Sequence, residues 1–374
     1  MKKFIVTPWE VSGDIDYDKL IKEFGTEKIT DKLLKRIEKH TGELHWLLRR
    51  KIFFSHRDMN WILDNYEKKN KFFLYTGRAP SGLTHLGHLV PWIFAQWLQE
   101  KFNVEMWFQI PDDEKFLFKP KLTLEDTKHY AYDNILDIIA LGFDPKKTKI
   151  FLDTEYAKVM YPLALEISKK ITLSTARAVF GFKNEMNIGA IFYTSMQSVP
   201  AILPSVLKKK NIPCLIPHAI DQDAHFRVSR DVLPKLGYYK PAAIHCRFLS
   251  GLSGPHGKMS SSDPKDINTI FATDSAKTVE HKIKKYAFSG GQPTIKEHKE
   301  KGGNPDVDVS YQYLTFFEPS DKKLKKIYED YKSGAILTSE LKGICIETIN
   351  KFLKEHQKKR ELAKKNIEKF MLRA

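Results

Sequence analysis

The chain has 374 residues, with 62 Lys or Arg against 46 Asp or Glu, so its formal net charge is +16. This length allows two or three domains, and a 42% share of hydrophobic residues excludes general disorder. The charge indicates a polyanionic partner or, as an open alternative, a solvated lysine-rich surface. Three scattered cysteines form no disulfide framework, and no stretch is apolar enough for a secretion signal or a membrane span. We therefore expect a cytoplasmic protein without membrane contact.

Residues 1–70 are expected to form an N-terminal extension in two parts. The first is short, aromatic and rich in turn residues, which predicts a hairpin over 4–16. The second has apolar residues at helical spacing, which predicts helices over 17–24, 31–39 and 58–66.

From residue 71 onward, short apolar runs alternate with longer amphipathic ones, as in βαβ units around a parallel sheet. The predicted strands are 72–75, 104–110, 149–152, 214–217 and 242–249. This pattern indicates an α/β fold with a Rossmann-type domain over 71–265. The strand signals then fade, and a mostly helical, basic domain is expected over 266–374.

Four polar clusters follow predicted strands or stand close behind them: TGRAPSG, QIPDDEK, HAIDQD and GKMSSS. Ligands of an open parallel sheet bind beyond the carboxyl ends of its strands. We therefore predict that the four clusters form one composite site.

The segment His85-Leu86-Gly87-His88 lies at the start of a predicted helix. Two imidazoles three residues apart share a helix face, Gly87 lets a ligand approach the backbone, and a helix N-terminus favours anions. The segment therefore suits nucleotide phosphates. A zinc pair, surface histidines and core histidines are the alternatives, and zinc is disfavoured because no third ligand is obvious at the usual spacing.

A second anion-binding candidate is the loop Lys258-Met259-Ser260-Ser261-Ser262, which follows several glycines. A mobile lysine followed by hydroxyl groups can close on a polyphosphate. A Walker A loop is excluded, because Gly251 is one position too far from Gly257 and Met259 stands where Ser or Thr is needed. An ordinary polar surface loop is the alternative for this segment alone.

These motifs also carry a resemblance. TGRAPSGLTHLGH resembles the HIGH region of class I aminoacyl-tRNA synthetases, and KMSSS resembles their KMSKS loop. More narrowly, the chain resembles the tryptophanyl-tRNA synthetase family of eukaryotic and archaeal type in LYTGR, QIPDDEKFLFK, AIDQD, KMSSSDP, AFSGG, GGNPDVDVS and YLTFF. PWEV and DYDKL extend the similarity into the N-terminal region, so that it covers nearly the whole chain.

The resemblance implies a two-step ligation, in which L-tryptophan and ATP form an adenylate and pyrophosphate, and the acyl group then passes to tRNA(Trp). ATP is expected to enter as its Mg²⁺ complex, and no tightly bound structural metal is expected. The implied catalytic residues are His85, His88 and Lys258. The implied ATP-binding residues are Gly77, Arg78, Pro80, His85, Gly87, His88, Lys258, Met259, Ser260, Ser261 and Ser262.

One position departs from the family pattern, because Ser261 stands where the KMSKS loop has its second lysine. We hypothesise that Lys115, at the end of a neighbouring strand, supplies part of the missing positive charge as a further catalytic residue. The alternative is a surface lysine without a role in the reaction.

The implied tryptophan-binding residues are Tyr75, Gln109, Glu114, Gln197 and Gln222. Indole has one N–H donor and no acceptor, so its pocket must offer an acceptor within an apolar cavity. Tyr75 and Gln109 match family positions that accept this N–H, and the other three match positions that hold the ammonium group. Asp221 either joins this site or caps the following helix.

The remaining implications concern domains and partners. Residues 71–265 are expected to form the catalytic domain, with a dimerisation insertion around 150–200 that makes the protein a homodimer. Residues 266–374 are expected to bind the anticodon, with the last helix either on the tRNA or packed back on the catalytic domain. The segment 8–11 is expected to fold over the active site. A tyrosyl-tRNA synthetase and a catalytically silent RNA-binding relative are the rival functions.

Overall fold

The computed structural model describes residues 5–6, 11–13, 15–254, 259 and 267–374. The N-terminal elements are β1 (Ile5–Val6), β2 (Val11–Ser12), α1 (Tyr17–Phe24), β3 (Glu27–Lys28), α2 (Asp31–Thr41), α3 (Trp46–Arg49), β4 (Phe53–Arg57) and α4 (Met59–Glu67). Strands β1 and β2 pair in antiparallel fashion, as the predicted hairpin requires. The three predicted helices correspond to α1, α2 and α4. Of the segment 8–11, only the Val11 backbone lies within the described residues.

The central elements alternate strands and helices as predicted. They are β5 (Phe73–Gly77), α5 (Leu86–Phe102), β6 (Glu105–Ile110), α6 (Asp112–Phe118), α7 (Leu124–Ala140), β7 (Thr148–Leu152), α8 (Ala157–Ser168), α9 (Leu173–Phe180), α10 (Ile188–Met196), α11 (Leu203–Leu207), β8 (Cys214–Ala219), α12 (Asp223–Val232) and β9 (Ala242–Cys246). The C-terminal elements are α13 (Ala276–Tyr286), α14 (Ile295–Lys301), α15 (Val309–Phe317), α16 (Asp321–Ser333) and α17 (Thr338–Ala363).

Seven strands form one sheet in the order β3-β4-β9-β8-β5-β6-β7. The five strands from β9 to β7 are parallel, which confirms the α/β class and the Rossmann-type sheet. The sheet is nevertheless mixed, because β3 and β4 add to its other edge in antiparallel orientation. These two strands of the N-terminal region were not predicted from the sequence.

The missed strand β4 has a physical explanation. Its sequence, FFSHR, includes the buried polar residues Ser55 and His56, so it lacks the apolar run of a buried strand. The Ser55 hydroxyl is hydrogen-bonded to Nδ1 of His245 on β9, at 2.9 Å. A polar residue is tolerated in the sheet because its partner satisfies it, and that partner is known only from the tertiary structure.

The sheet separates two hydrophobic clusters. Along β5, Leu74 joins one cluster while Phe73 and Tyr75 join the other, because successive strand residues point to opposite faces. The first cluster includes residues of α5, α7 and α17, and the second includes residues of α8, α9, α10 and α12. Both faces of the sheet are thus covered, and its carboxyl edge is left for the site.

The C-terminal helix α17 packs against α7 of the sheet domain. His356 and Arg360 of α17 both donate to Oδ1 of the buried Asp137, at 3.0 Å each. Farther on, Leu372 donates its backbone N–H to the Ile150 carbonyl on β7 at 2.7 Å, so the chain end covers this edge strand. Of the helices in the described ranges, none is long and apolar enough to cross a bilayer.

Candidate active site

A cavity of about 830 Å³ opens at the carboxyl ends of the parallel strands. All four predicted polar clusters contribute to its lining, the fourth through Met259 alone among the described residues. Its lining includes Gly77, Arg78, His85, Gly87, His88, Gln109, Glu114, Lys115, Gln197, Asp221, Gln222 and Met259. From the fourth cluster, Met259 is buried and donates its backbone N–H to the Leu249 carbonyl at 3.0 Å. Lys258, Ser260, Ser261 and Ser262 lie outside the described residues.

His85 and His88 stand together at the start of α5. Their rings stack with centroids 3.5 Å apart and planes 24° apart, and His88 Nδ1 accepts the His85 backbone N–H at 3.2 Å. A Cβ on Gly87 would lie 3.1 Å from the His85 ring, so the absence of a side chain there makes room for the imidazole. Both rings line the cavity beside the helix N-terminus, as an anion site requires.

Arg78 carries a positive charge into the same cavity. It is 7% exposed, and its Nε and Nη2 atoms are buried with no hydrogen-bond partner within the described part of the chain. Burial lowers the pKa of Arg78 to about 10, against the opposing effect of the Glu114 and Asp137 carboxylates. The group stays charged at neutral pH, and its buried donors are suited to a phosphate. Pro80 is buried in the same turn but does not belong to the residues that line the cavity.

The predicted indole acceptors are hydrogen-bonded to each other. The Tyr75 hydroxyl donates to Gln109 Oε1 at 2.6 Å and accepts from Gln197 Nε2 at 3.0 Å. Gln109 in turn donates through Nε2 to Oδ2 of Asp153 at 2.7 Å. Tyr75 and Gln109 are fully buried, and Gln109 and Gln197 line the cavity. The structure thus brings three of the five predicted tryptophan residues into one hydrogen-bonded chain.

Glu114 supplies a carboxylate at the same place. Burial raises its pKa, but the neighbouring Lys115 ammonium and the Tyr193 hydroxyl outweigh burial, so its pKa lies below the usual value. Lys115 Nζ lies 2.6 Å from Glu114 Oε1, and the Tyr193 hydroxyl lies 3.2 Å from Oε2. Glu114 is therefore ionised at neutral pH, as a partner for an ammonium group must be.

Gln222 and Asp221 also line the cavity, in the turn that leads into α12. Asp221 is buried, and α12 begins two residues later with Gln222 at its N-cap, so Asp221 is not the capping residue. Asp223 is anchored by Arg57, which donates to both carboxylate oxygens at 2.7 and 2.8 Å. The turn that carries Gln222 is thereby tied to β4.

One group in the described part of the chain has the composition of a metal site: His218, Asp223 and His245, whose ligand atoms lie within 4.8 Å of one another. Both oxygens of Asp223 already accept hydrogen bonds from the Arg57 guanidinium. A divalent cation here would face that fixed positive charge at close range. We interpret the group as a buried polar network, one member of which, His218, also lines the cavity.

Sequence reasoning missed two residues of the site. Asp153 follows β7 directly, and the rule that ligands lie beyond the carboxyl ends of parallel strands points to it. The Tyr193 hydroxyl lies within hydrogen-bonding distance of both Glu114 and Gln197. It belongs to α10, where nothing in the local sequence distinguishes it from a core tyrosine.

The comparisons with known proteins agree with this geometry. Residues 67–354 match the family described as class I tRNA synthetases for tryptophan and tyrosine (W and Y). The chain belongs to that family of class I aminoacyl-tRNA synthetases. A tryptophan–tRNA ligase of Sulfurisphaera tokodaii is 57% identical over 98% of this chain and 95% of its own. Within the family, the chain groups with the tryptophan–tRNA ligases.

Solved structures support the same placement. The tryptophanyl-tRNA synthetase of Plasmodium falciparum is 46% identical and superimposes with a TM-score of 0.87, covering 93% of this chain and 94% of that one. The enzyme from Encephalitozoon cuniculi, solved with bound tryptophan, is 39% identical with a TM-score of 0.87, covering 96% and 98%.

Proposed function

We propose that the cavity activates L-tryptophan with ATP and that the enzyme then transfers the amino acid to tRNA(Trp). The observation that carries this proposal is the meeting of two half-sites in one cavity. One half holds Gln109, which is hydrogen-bonded to the buried Tyr75 behind the cavity lining, beside the ionised Glu114. The other half holds the stacked histidines and the buried Arg78 donors.

In the first step, a tryptophan carboxylate oxygen attacks the α-phosphorus of ATP, and the bond to the bridging oxygen of pyrophosphate breaks. The reaction needs no protein nucleophile, so the residues act by position and charge. Glu114 holds the ammonium group together with Gln197 and Gln222. Arg78, His85 and His88 contact the phosphates, with Gly77 and Gly87 leaving the backbone accessible.

In the second step, a terminal ribose hydroxyl of tRNA attacks the acyl carbonyl, and AMP leaves. The adenylate must stay in place between the steps, which the enclosed tryptophan half-site supports. We assign Lys258 and Ser260 to Ser262 to the pyrophosphate and its Mg²⁺, on the basis of the family pattern. Mg²⁺ enters with ATP as part of the substrate complex.

The decisive experiment is ATP–pyrophosphate exchange with each of the twenty amino acids. Tryptophan should stimulate exchange and tyrosine should not. Stimulation by tyrosine would favour the related tyrosyl enzyme, and stimulation by no amino acid would favour a silent RNA-binding relative. Either result overturns the proposal.

The role of Lys115 is tested in the same assay. Lys115 lines the cavity, and its Nζ lies 2.6 Å from Glu114 Oε1. We expect the tryptophan ammonium, on binding Glu114, to displace the Lys115 ammonium toward the phosphates. Lys115→Ala should lower the exchange rate, whereas Lys121→Ala, at an exposed position, should not. Equal rates for the two variants would refute a role for Lys115.

The helical region 266–374 is proposed to hold the tRNA anticodon end. From residue 351 to the chain end there are nine basic residues and three acidic ones. Arg360 and Arg373 are held in ion pairs with carboxylates of the protein, and the seven lysines favour binding to a phosphate backbone. Binding of tRNA(Trp), measured by filter retention, should weaken as salt rises. Salt-independent binding would contradict this proposal.

We also propose a homodimer with its interface on the segment 150–200. Several large hydrophobic side chains are exposed there, and Ile188 on α10 is 84% exposed. Exposed apolar clusters of this kind mark protein interfaces. In sedimentation analysis, Ile188→Asp should convert dimer to monomer, whereas Ile295→Asp on α14 should not. A monomeric wild-type protein would refute the proposal.

A cytoplasmic location is proposed together with this function. Cys214, Cys246 and Cys345 are all buried and unpaired, as is usual in a reducing compartment. Fractionation of the source cells, with the protein detected by antibody, tests this location.

A further inference from the structure

The buried acceptor of the tryptophan half-site depends on a residue outside the cavity lining. The terminal amide of Gln109 has an acceptor oxygen, Oε1, and a donor nitrogen, Nε2, which point in different directions. Nε2 donates to Oδ2 of Asp153 at 2.7 Å, and Oε1 accepts from the Tyr75 hydroxyl at 2.6 Å. Asp153 is 1% exposed, so water does not substitute for it.

The orientation of the Gln109 amide decides what the indole group meets. With Nε2 on Asp153, the Oε1 atom has a second lone pair for an incoming N–H, beside the Tyr75 oxygen. If the amide were turned over, the two Nε2 hydrogens would point toward the Tyr75 hydroxyl and the indole N–H. Donors would then face donors, and a buried donor would be left without an acceptor. Gln197 does not fix this orientation, because it bonds Tyr75 and not Gln109.

Asp153 is itself held in place. Its backbone N–H donates to the Ile110 carbonyl at 3.2 Å, which fixes the end of β7 against β6. The Asp113 carboxyl lies against it, and burial together with this neighbour raises the pKa of Asp153 well above the usual value. Whether or not the Asp153 carboxyl group is protonated, its Oδ2 keeps a lone pair for Gln109 Nε2.

We infer that Asp153 is a positioning residue for amino-acid specificity, which holds the Gln109 amide in the orientation that accepts the indole N–H. The inference rests on the proposed function and deepens it. Asp153 does not touch the substrate, so its effect should appear only for substrates that carry the N–H group.

The test compares two substrates of nearly equal shape. β-(3-Benzothienyl)-L-alanine has a sulfur atom where tryptophan has its indole N–H. In pyrophosphate exchange, Asp153→Leu should lower kcat/KM for tryptophan by about tenfold to a hundredfold, since one buried donor loses its acceptor. Most of the change should appear in KM, and kcat/KM for the sulfur analogue should change little.

Asp153→Asn is the matched control. The Asn carbonyl oxygen can accept from Gln109 Nε2, and its amide N–H₂ can donate to Asp113. This variant should keep the wild-type preference for tryptophan over the sulfur analogue. The urea unfolding midpoint of Asp153→Asn is measured as well. If Asp153→Leu fails to fold, this midpoint shows whether a side chain of the same shape as Asp153 supports folding.

The possible outcomes distinguish a failure of the inference on Asp153 from a failure of the proposed function. If Asp153→Leu loses the same factor in kcat/KM for both substrates, Asp153 has a general structural role and the inference is overturned. The inference is also overturned if neither kcat/KM value changes. Loss of preference in Asp153→Asn would also overturn it, because the acceptor is retained there. A wild-type enzyme that tryptophan does not stimulate would instead refute the proposed function.

Discussion

Replacing Arg57 with methionine should lower the free energy of unfolding by about 3 to 5 kcal/mol, because it leaves a buried carboxylate without its cation. The Asp223 side chain is fully buried, and Arg57 donates to both of its oxygens at 2.7 and 2.8 Å. The same guanidinium also donates to the carbonyls of Phe24 and Gly25 at the end of α1. A single substitution therefore removes the links of β4 to both α12 and the N-terminal region.

The measurement is urea unfolding at pH 7, with a surface arginine as the control. Arg36 pairs with Asp64 and Glu67 but keeps 24% of its side chain exposed, so Arg36→Met should cost about 1 kcal/mol or less. In the double variant Arg57→Met/Asp223→Asn, no charge is left buried, so its loss should be smaller than the sum of the single losses. Equal costs for Arg57→Met and Arg36→Met, or additive losses in the double variant, would refute the reasoning.

The pH dependence of this pair has a definite sign. Burial raises the pKa of Asp223, but Arg57 and His245 outweigh burial, so the pKa in the folded protein lies far below the usual value. A carboxyl group with a depressed pKa stabilises the fold above its unfolded pKa, and this contribution is lost as pH falls. Without Arg57, burial raises the pKa of Asp223, so the variant is relieved of its buried charge by protonation. The difference between wild type and Arg57→Met should therefore shrink as pH falls from 7, beginning above the unfolded pKa of about 4.

Three further predictions concern the site. Burial and two neighbouring carboxylates raise the pKa of Asp113 to about 7, so its ionisation costs stability as pH rises from its unfolded pKa through 7. The advantage of Asp113→Asn over wild type in unfolding free energy should grow by about 2 to 3 kcal/mol between pH 5 and pH 8, and a constant difference would contradict the shift. Arg78→Met should raise KM for ATP about tenfold or more in pyrophosphate exchange while KM for tryptophan stays near wild type, because charged hydrogen bonds to phosphate are lost; equal changes in both would refute a phosphate role. Gly87→Ala places a Cβ 3.1 Å from the His85 ring, so kcat should fall with an unchanged unfolding midpoint, and full activity would show that the ring tolerates displacement.

The local sequence was enough for the parallel part of the sheet and for the place of the site. The strands β5, β6, β7, β8 and β9 are short apolar runs, and the polar segments behind them meet at one edge because parallel strands share their direction. The tryptophan and ATP residues could be proposed because most of them lie in contiguous motifs that resemble those of the family. The loop from Lys258 to Ser262 stays a prediction apart from the buried Met259.

The tertiary structure decided what joins distant parts of the chain. Asp153 is 44 positions from Gln109, Asp223 is 166 positions from Arg57, and His356 is 219 positions from Asp137. Each link is a buried hydrogen bond between polar side chains, and such residues interrupt the apolar periodicity that sequence reasoning follows. The sequence by itself therefore determined the class of fold and the chemistry of the cavity. The orientation of the Gln109 amide and the attachment of β4 to the sheet depend on which buried polar groups form hydrogen bonds with one another. Only the tertiary structure shows these pairs.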